Sequence, residues 1–273
     1  MGLFGKLFEK KECAFCGGEI GLLGNRKLED GNMCKECASK LSPWFEDRRQ
    51  STVAQIQEQL DYREANKDKV AAFGTTRTLG EETKVLLDEN AGVFMVTSAR
   101  NYRDANPDVL RFSDVTGCNL DIDESRDEIM RKNAEGQMVS HKPPRYRYSY
   151  DFYITIFVNN PYFDEIRFRI NDSSVDIEDD VRPHQPVKGG LGVVLDALSS
   201  AGGNNPESNP EYRNYLAMGE EIKAALLQVR QQARDEAVAA AAPKAAVTCS
   251  YRGATTTPDA SGCCEFCGGA IGA

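Results

Sequence analysis

The sequence predicts an α+β fold, in which an antiparallel β core is capped by a long helix and flanked by two small cysteine-rich modules. Three patterns predict this fold. Cysteine pairs with a two-residue gap stand near both ends, apolar and polar residues alternate through the middle, and a helical apolar stripe precedes an alanine-rich stretch. We divide the chain into an N-terminal cysteine module (1–46), a linking helix (51–73), a β core with its capping helix (75–235), an alanine-rich linker (236–247) and a degenerate terminal module (248–273).

Composition narrows the class of protein. The chain has 273 residues and a formal net charge of −9, which disfavours broad binding to phosphate backbones. Its mean hydropathy is −0.49, and no apolar stretch is long enough for a transmembrane helix. The nine cysteines are an odd number and cluster in pairs, which fits metal binding in a reducing compartment better than a disulfide framework. We therefore expect a cytoplasmic protein.

Two cysteine pairs, Cys13 with Cys16 and Cys34 with Cys37, make the strongest motif. Their spacing lies within the range of four-cysteine zinc sites. Four thiolates complete the tetrahedron around Zn²⁺ and leave no position for water, so such an ion is structural and not catalytic. Four free cysteines or a redox pair are the alternative. We expect one zinc ion here, in a treble-clef or ribbon-like module.

Turn and cap signals indicate the elements that follow. Asp30 and Gly31 predict a hairpin turn between the cysteine pairs, and Thr52 with Gln55 predicts a capping box. Apolar residues then recur at helical spacing, and these are Val53, Ile56, Leu60, Val70 and Phe73. We expect this helix to link the cysteine module to the β core and to pack against one of them.

Alternating residues predict the strands of the core. The segments 85–87 and 93–96 flank a hairpin turn, and 109–112 and 115–120 predict shorter strands. The clearest strand is 148–158, which a turn joins to an antiparallel partner at 166–170.

Arg145 and Arg147 alternate with tyrosines just before the clearest strand. This alternation predicts a half-buried strand with tyrosines inward and arginines outward. A surface for nucleic acid is the alternative, since arginine and aromatic side chains both stack on bases.

The capping helix has a clear start. Asn209 is its N-cap, and Pro210 occupies the first helical position. Its buried stripe consists of Tyr212, Leu216, Ile222, Leu226 and Val229. Before it, 183–209 is a loop rich in Pro, Gly, Asn and Ser, in which the apolar patch 191–198 predicts a short helix.

We expect no catalytic residues and no residues that bind an organic cofactor. The two histidines, His141 and His184, stand beside prolines and in no nucleophile–base pattern. Residues 121–125 resemble the start of a calcium loop, but Arg126 and Lys132 replace the glycine and the glutamate that such a loop needs. The sequence there predicts a solvated acidic turn.

The terminal cysteine motif is incomplete. Cys264 and Cys267 form a full pair, but Arg252 stands where the partner of Cys249 belongs, and arginine cannot ligate a metal. Three alternatives remain: zinc held by Cys249, Cys263, Cys264 and Cys267; zinc held by three thiolates and water; or a decayed site without metal. A second zinc ion is thus left open.

The stretches 13–45, 148–170 and 249–269 together resemble an uncharacterised bacterial family. Members have a four-cysteine module, a β-rich core, a long helix, an alanine-rich linker and a terminal ribbon, and residues 254–260 are typical of that ribbon. The resemblance implies a second cysteine where Arg252 stands. The order of strands and helix is also similar to pleckstrin-homology-like (PH-like) domains.

We expect a non-enzymatic zinc-binding adaptor or scaffold that mediates protein–protein interaction, with a protein partner of unknown identity. Small rigid metal modules suit the display of binding surfaces, and the alanine-rich linker suits a tethered module. A nucleic-acid-binding zinc ribbon, or a PH-like module at a membrane surface, is the alternative.

Overall fold

The computed structural model describes residues 11–178, 205–241, 247–249, 251, 253, 255–258 and 262–270. The chain forms two compact units, Met1–Arg230 and Gln231–Ala273. The short helix predicted at 191–198 and His184 lie outside the described residues. Within those residues, the structure has no helix with the length and apolar character needed to span a membrane.

The N-terminal module consists of two short hairpins and a short helix. Strand β1 (Lys11–Glu12) pairs with β2 (Glu19–Ile20), and β3 (Arg26–Lys27) pairs with β4 (Asn32–Met33). Helix α1 (Lys35–Ala38) and a 3-10 turn (Asp47–Arg49) follow. The predicted hairpin turn lies between β3 and β4.

Helix α2 (Val53–Ala72) begins at the predicted capping box. Gln55 N donates to Thr52 Oγ1 over 3.3 Å, and Thr52 N donates to Gln55 Oε1 over 2.9 Å. Ile56 belongs to the core of the N-terminal module, whereas Val70 packs with the β core. The helix therefore packs against both neighbours, and the expectation of one was wrong.

The first sheet is an antiparallel meander of four strands. These are β5 (Arg77–Leu79), β6 (Lys84–Asp88), β7 (Val93–Thr97) and β8 (Leu110–Arg111), with helix α3 (Tyr102–Ala105) between the last two. The predicted hairpin is confirmed, with Leu86 opposite Met95.

The second sheet is centred on β10. It consists of β9 (Val115–Lys132), β10 (Met138–Val158), β11 (Glu165–Arg169) and β12 (Val175–Glu178). Strand β9 lies along one edge of β10, and β11 and β12 follow one another along the other edge, all antiparallel. The predicted partner strand is confirmed, since Ile154 lies opposite Phe168.

The acidic turn predicted at 121–125 was wrong, because these residues lie inside β9. Their carboxylates are compensated across the sheet: Asp123 accepts from Arg167 over 3.5 Å, and Asp121 accepts from Thr155 Oγ1 over 3.1 Å. Such pairing overrides the low strand propensity of aspartate.

Helix α4 (Pro210–Ala241) caps the second sheet. Asn209 Oδ1 accepts from Glu211 N over 2.8 Å, as the sequence predicts for an N-cap. The Tyr212 ring lies against Tyr150 and Phe152, with ring centroids 5.1 and 5.0 Å away. The helix continues to Ala241, into the segment predicted as a linker, because alanine has the highest helix propensity.

The described part of the terminal module is a second small β structure. Strand β13 (Val247–Thr248) pairs with β14 (Thr255–Thr256). Two isolated antiparallel bridges follow, in which Pro258 pairs with Cys264 and Cys263 pairs with Ala270.

Candidate metal centres

The N-terminal cluster is Cys13, Cys16, Cys34 and Cys37, whose sulfur atoms all lie within 4.8 Å of one another. Cys13 and Cys16 lie in the turn between β1 and β2, whereas Cys34 caps α1 and Cys37 lies within it. The structure thus brings together all four cysteines of the predicted N-terminal site.

Backbone amides surround these sulfurs. Cys34 N donates to Cys13 Sγ, and Cys37 N donates to Cys34 Sγ, both over 3.3 Å. The turn closes through Gly17 N, which donates to Cys13 O over 2.9 Å. Gly17 has φ +67°, a left-handed conformation that glycine adopts without strain. The glycine therefore allows the turn that holds the first two sulfurs together.

The spacing of the sulfurs fits a tetrahedral metal. A Zn–S distance of about 2.3 Å places the sulfurs of a tetrahedron about 3.8 Å apart, and Cys16 Sγ lies 3.8 Å from Cys34 Sγ. All four cysteines are free thiols. Four sulfur donors favour zinc or iron–sulfur chemistry over hard cations. The cluster is thus chemically suited to Zn²⁺, with no coordination position left for water.

Local hydrogen bonds and burial shift the pKa values of Cys13 and Cys37 in opposite directions. Burial opposes charge on Cys13, but the amides of Cys34, Cys16 and Phe15 outweigh it and lower the pKa of Cys13 to about 6. Burial and the neighbouring sulfurs raise the pKa of Cys37. A bound divalent cation would offset the repulsion that raises the pKa of Cys37.

The cluster sits in a small apolar core. Cys13 and Cys37 are buried in it, and Leu28 and Met33 are completely inaccessible to solvent. Ile56 of α2 completes this core. A core of this size provides little free energy of folding by itself, so a bound metal would contribute most of the stability of the module.

A buried ion pair holds the module on the β core. Arg63 of α2 lies 2.7 Å from Asp108, and the two side chains are 7% and 0% exposed. Asp108 also accepts from Ser42 Oγ over 2.8 Å, and Arg63 Nε donates to Lys40 O over 3.2 Å. Burial raises the pKa of Asp108, whereas Arg63 and Ser42 act in the opposite direction.

Asn66, one turn further along α2, extends this network. Its Nδ2 donates to Pro107 O over 2.8 Å, and its Oδ1 accepts from Val109 N over 3.0 Å. Neither Arg63 nor Asn66 was predicted as a functional residue from the sequence. Both residues lie on the buried face of α2, at helical spacing between Ile56 and Val70. A polar side chain at a buried position needs a hydrogen-bonding partner, and this is the signal in the sequence that could have identified them.

An apolar pair projects from the module, and we name it the leucine tip. It consists of Leu22 and Leu23, which are 80% and 90% exposed in the turn between β2 and β3. Gly24 N donates to Gly21 O over 3.0 Å and closes this turn. The sequence patterns gave no prediction of a role for this pair.

Four cations on the same module form what we name the basic cluster, which consists of Arg26, Lys27, Arg48 and Arg49. They line one groove, to which Glu29 contributes the single carboxylate. Arg26 Nη1 lies 3.5 Å from the carbonyl oxygen of Leu23, so the cluster adjoins the leucine tip. Burial, together with repulsion from Arg49 and Arg26, lowers the pKa of Arg48. Among the described residues, none of the four cations forms an ion pair with a carboxylate.

The terminal cluster contains three sulfurs, those of Cys249, Cys264 and Cys267, which lie within 4.8 Å of one another. Cys263 lies outside it. Cys263 and Cys264 are consecutive residues, and each forms its own backbone bridge, Cys263 with Ala270 and Cys264 with Pro258. Of the four predicted terminal ligands, the structure therefore brings three together.

A groove of about 530 Å³, which no sequence pattern predicted, opens beside α2. Its walls include Tyr62 of α2, Phe73 at the C-terminal end of the same helix, and Val109 from a distant segment. Of its charged groups, Arg111 pairs with Asp114 over 2.8 Å.

The N-terminal module matches a known family of domains. Residues 11–59 match a family described as a domain of unknown function, DUF4428, and this segment holds the N-terminal cluster and the start of α2. Neither the curated proteins nor the solved structures gave a match. The expected resemblance to an uncharacterised family is thus confirmed for this segment: the N-terminal module is similar to a domain whose function is unknown.

Proposed function

We propose that this chain is a non-enzymatic zinc-binding adaptor whose N-terminal module binds a protein partner. The observation that carries the proposal is the leucine tip beside the basic cluster, on a module fixed to the β core. We infer that the partner presents an acidic segment with apolar side chains.

The leucine tip supplies the apolar part of this interface. Leu22 and Leu23 are adjacent and almost fully exposed, although large apolar side chains usually find cover. Burial of a leucine side chain contributes about 1.5–3 kcal/mol. Two anchors of this kind would provide a substantial part of the affinity of a small interface.

The basic cluster supplies the positive charge of this interface. It stands out on a chain whose net charge is −9, because no described carboxylate pairs with its four side chains. Unpaired cations beside an apolar anchor favour an acidic partner and speed its encounter.

Rigidity of the module supports binding. A zinc ion in the N-terminal cluster, the helix α2 and the Arg63–Asp108 pair would hold the leucine tip in one position relative to the β core. A surface ordered in advance loses little entropy on association. The non-enzymatic part of the proposal concerns the N-terminal cluster, whose closed set of four sulfurs leaves a bound zinc no position for a reacting water.

Contacts of the two strand arginines weigh against the nucleic-acid alternative. Arg147 lies 2.8 Å from Glu178 and 3.9 Å from Asp176, and Arg145 lies 3.7 Å from Glu178. Their charge is therefore already offset by β12. The PH-like alternative stays a similarity of strand order, which does not imply lipid binding.

The test begins with the full chain, purified with zinc. A partner captured from cells is itself purified, and its direct affinity is compared for the wild type, the double variant Leu22→Ser/Leu23→Ser and Cys34→Ser. We expect the leucine variant to keep its zinc and to bind at least about tenfold more weakly, the equivalent of about 1.4 kcal/mol. Cys34→Ser should lose both the N-terminal zinc and the partner.

Val238→Ala is the matched control, because Val238 is an exposed apolar residue (71%) far along the chain on α4. It should bind as the wild type does. Wild-type affinity in the leucine variant would refute the proposed surface.

A further inference from the structure

The terminal module repeats the turn that holds the N-terminal sulfurs. Gly268 N donates to Cys264 O over 2.7 Å, with φ +67° at Gly268. Cys264 N donates to Gly269 O over 2.8 Å, as Cys13 N donates to Gly18 O over 2.9 Å. The pair Cys264 and Cys267 is thus held in the same type of turn as Cys13 and Cys16.

A second turn of this type follows Cys249. Gly253 N donates to Cys249 O over 2.7 Å, and Gly253 has φ +65°. The residue before the glycine is a cysteine in the other two turns, whereas Arg252 occupies this position here. The terminal module therefore keeps both turns of a four-sulfur site and carries sulfur at three of the four positions.

The three sulfurs have the spacing of a metal site. Cys249 Sγ lies 3.6 Å from Cys267 Sγ, close to the edge of about 3.8 Å expected for a zinc–sulfur tetrahedron. Cys249 and Cys264 are buried, whereas Cys267 is exposed. A metal held there would have two sulfurs on the inner side and would face solvent near the third.

We propose that the terminal module binds zinc through Cys249, Cys264 and Cys267 and leaves the fourth coordination position to an exchangeable ligand from outside the module. The ligand would be a nitrogen or sulfur donor, such as an imidazole or a thiol, or else water. Three thiolates and one exchangeable donor make an open site, in contrast to the closed N-terminal cluster. The inference does not depend on the proposed adaptor function.

The experiment uses the full chain loaded with cadmium-113, which gives one resonance for each site. Added imidazole should shift the terminal resonance and leave the N-terminal one unchanged. Arg252→Cys restores the missing sulfur, so added imidazole should shift neither resonance of this variant. X-ray absorption of the zinc form should give an average of about 3.5 sulfurs per ion in the wild type and about four in Arg252→Cys.

Cys263→Ser provides a second test of the proposed ligands, which can be used if Arg252→Cys fails to fold. It should give the same spectra and the same response to imidazole as the wild type. Four sulfurs at both wild-type sites, a response to imidazole that Cys263→Ser alters, or binding of only one metal ion per chain would each overturn the proposal.

Discussion

Replacing Arg63 with methionine tests how the N-terminal module is fixed to the β core. Arg63→Met keeps an unbranched side chain in α2 but leaves Asp108 buried without its cation. Removal of one partner from a buried ion pair costs about 3–5 kcal/mol. We expect the free energy of unfolding at pH 7.5 to fall by about this amount, with the zinc sites kept saturated.

The loss of stability in Arg63→Met should depend on pH, and the protonation of Asp108 determines the direction of this dependence. Burial already raises the pKa of Asp108, and removal of Arg63 removes a contribution that lowers it. There is therefore a pH window, between the pKa of Asp108 in the unfolded chain and its higher pKa in the folded variant. Within this window Asp108 holds a proton in the folded variant and not in the unfolded chain. Stability of the variant then falls as pH rises through that window. The difference from the wild type should be smaller at pH 5.5 than at pH 7.5.

Urea unfolding followed by fluorescence suits this test, because Trp44 is the single tryptophan and its backbone amide donates to Ser42 Oγ over 3.2 Å. Lys67→Met is the matched control. Lys67 lies on the same helix and pairs with Glu64, but both side chains are exposed (59% and 72%), so the change should be within about 0.5 kcal/mol. Equal losses in the two variants, or a loss that does not lessen at pH 5.5, would refute the reasoning.

Two further predictions concern single backbone features. Gly17→Ala should lower the free energy of unfolding of the zinc-loaded chain by about 1–2 kcal/mol, because alanine at φ +67° is strained. Gly21→Ala, which has no positive φ and equally open surroundings, should cost less, and a melt in which both variants behave alike would contradict the prediction. Asn209→Ala should cost about 1 kcal/mol through loss of the α4 cap. Asn214→Ala, exposed inside the same helix, should not destabilise the chain, and equal urea midpoints for these two variants would count against the cap.

Local patterns predicted the elements whose formation depends on local chemistry. The capping box of α2 and the N-cap of α4 were predictable because a side chain bonds to an amide two or three residues away. The pairing of β10 with β11 was predictable because alternation assigns one face and a short turn sets the register. The four N-terminal cysteines were predictable because their spacing is itself the motif.

Features that depend on distant partners could not be predicted in this way. Strand β9 extends through an acidic segment because Arg167 and Thr155 compensate its carboxylates, and neither is near in sequence. Arg63 and its partner Asp108 are 45 residues apart. The sequence therefore indicates a polar residue on an apolar helix face but does not identify its partner. Cys263 falls outside the terminal cluster of Cys249, Cys264 and Cys267, and spacing along the sequence does not reveal which of two adjacent cysteines joins it.

Metal removal followed by amide resonances tests the central claim most directly. The full chain, labelled with nitrogen-15, is treated with a chelator and then given zinc again. If thiolates around zinc fold the N-terminal module, the dispersed amide signals of residues 11–45 collapse without metal and return with it. Unchanged, dispersed signals for these residues in the metal-free protein would contradict the account.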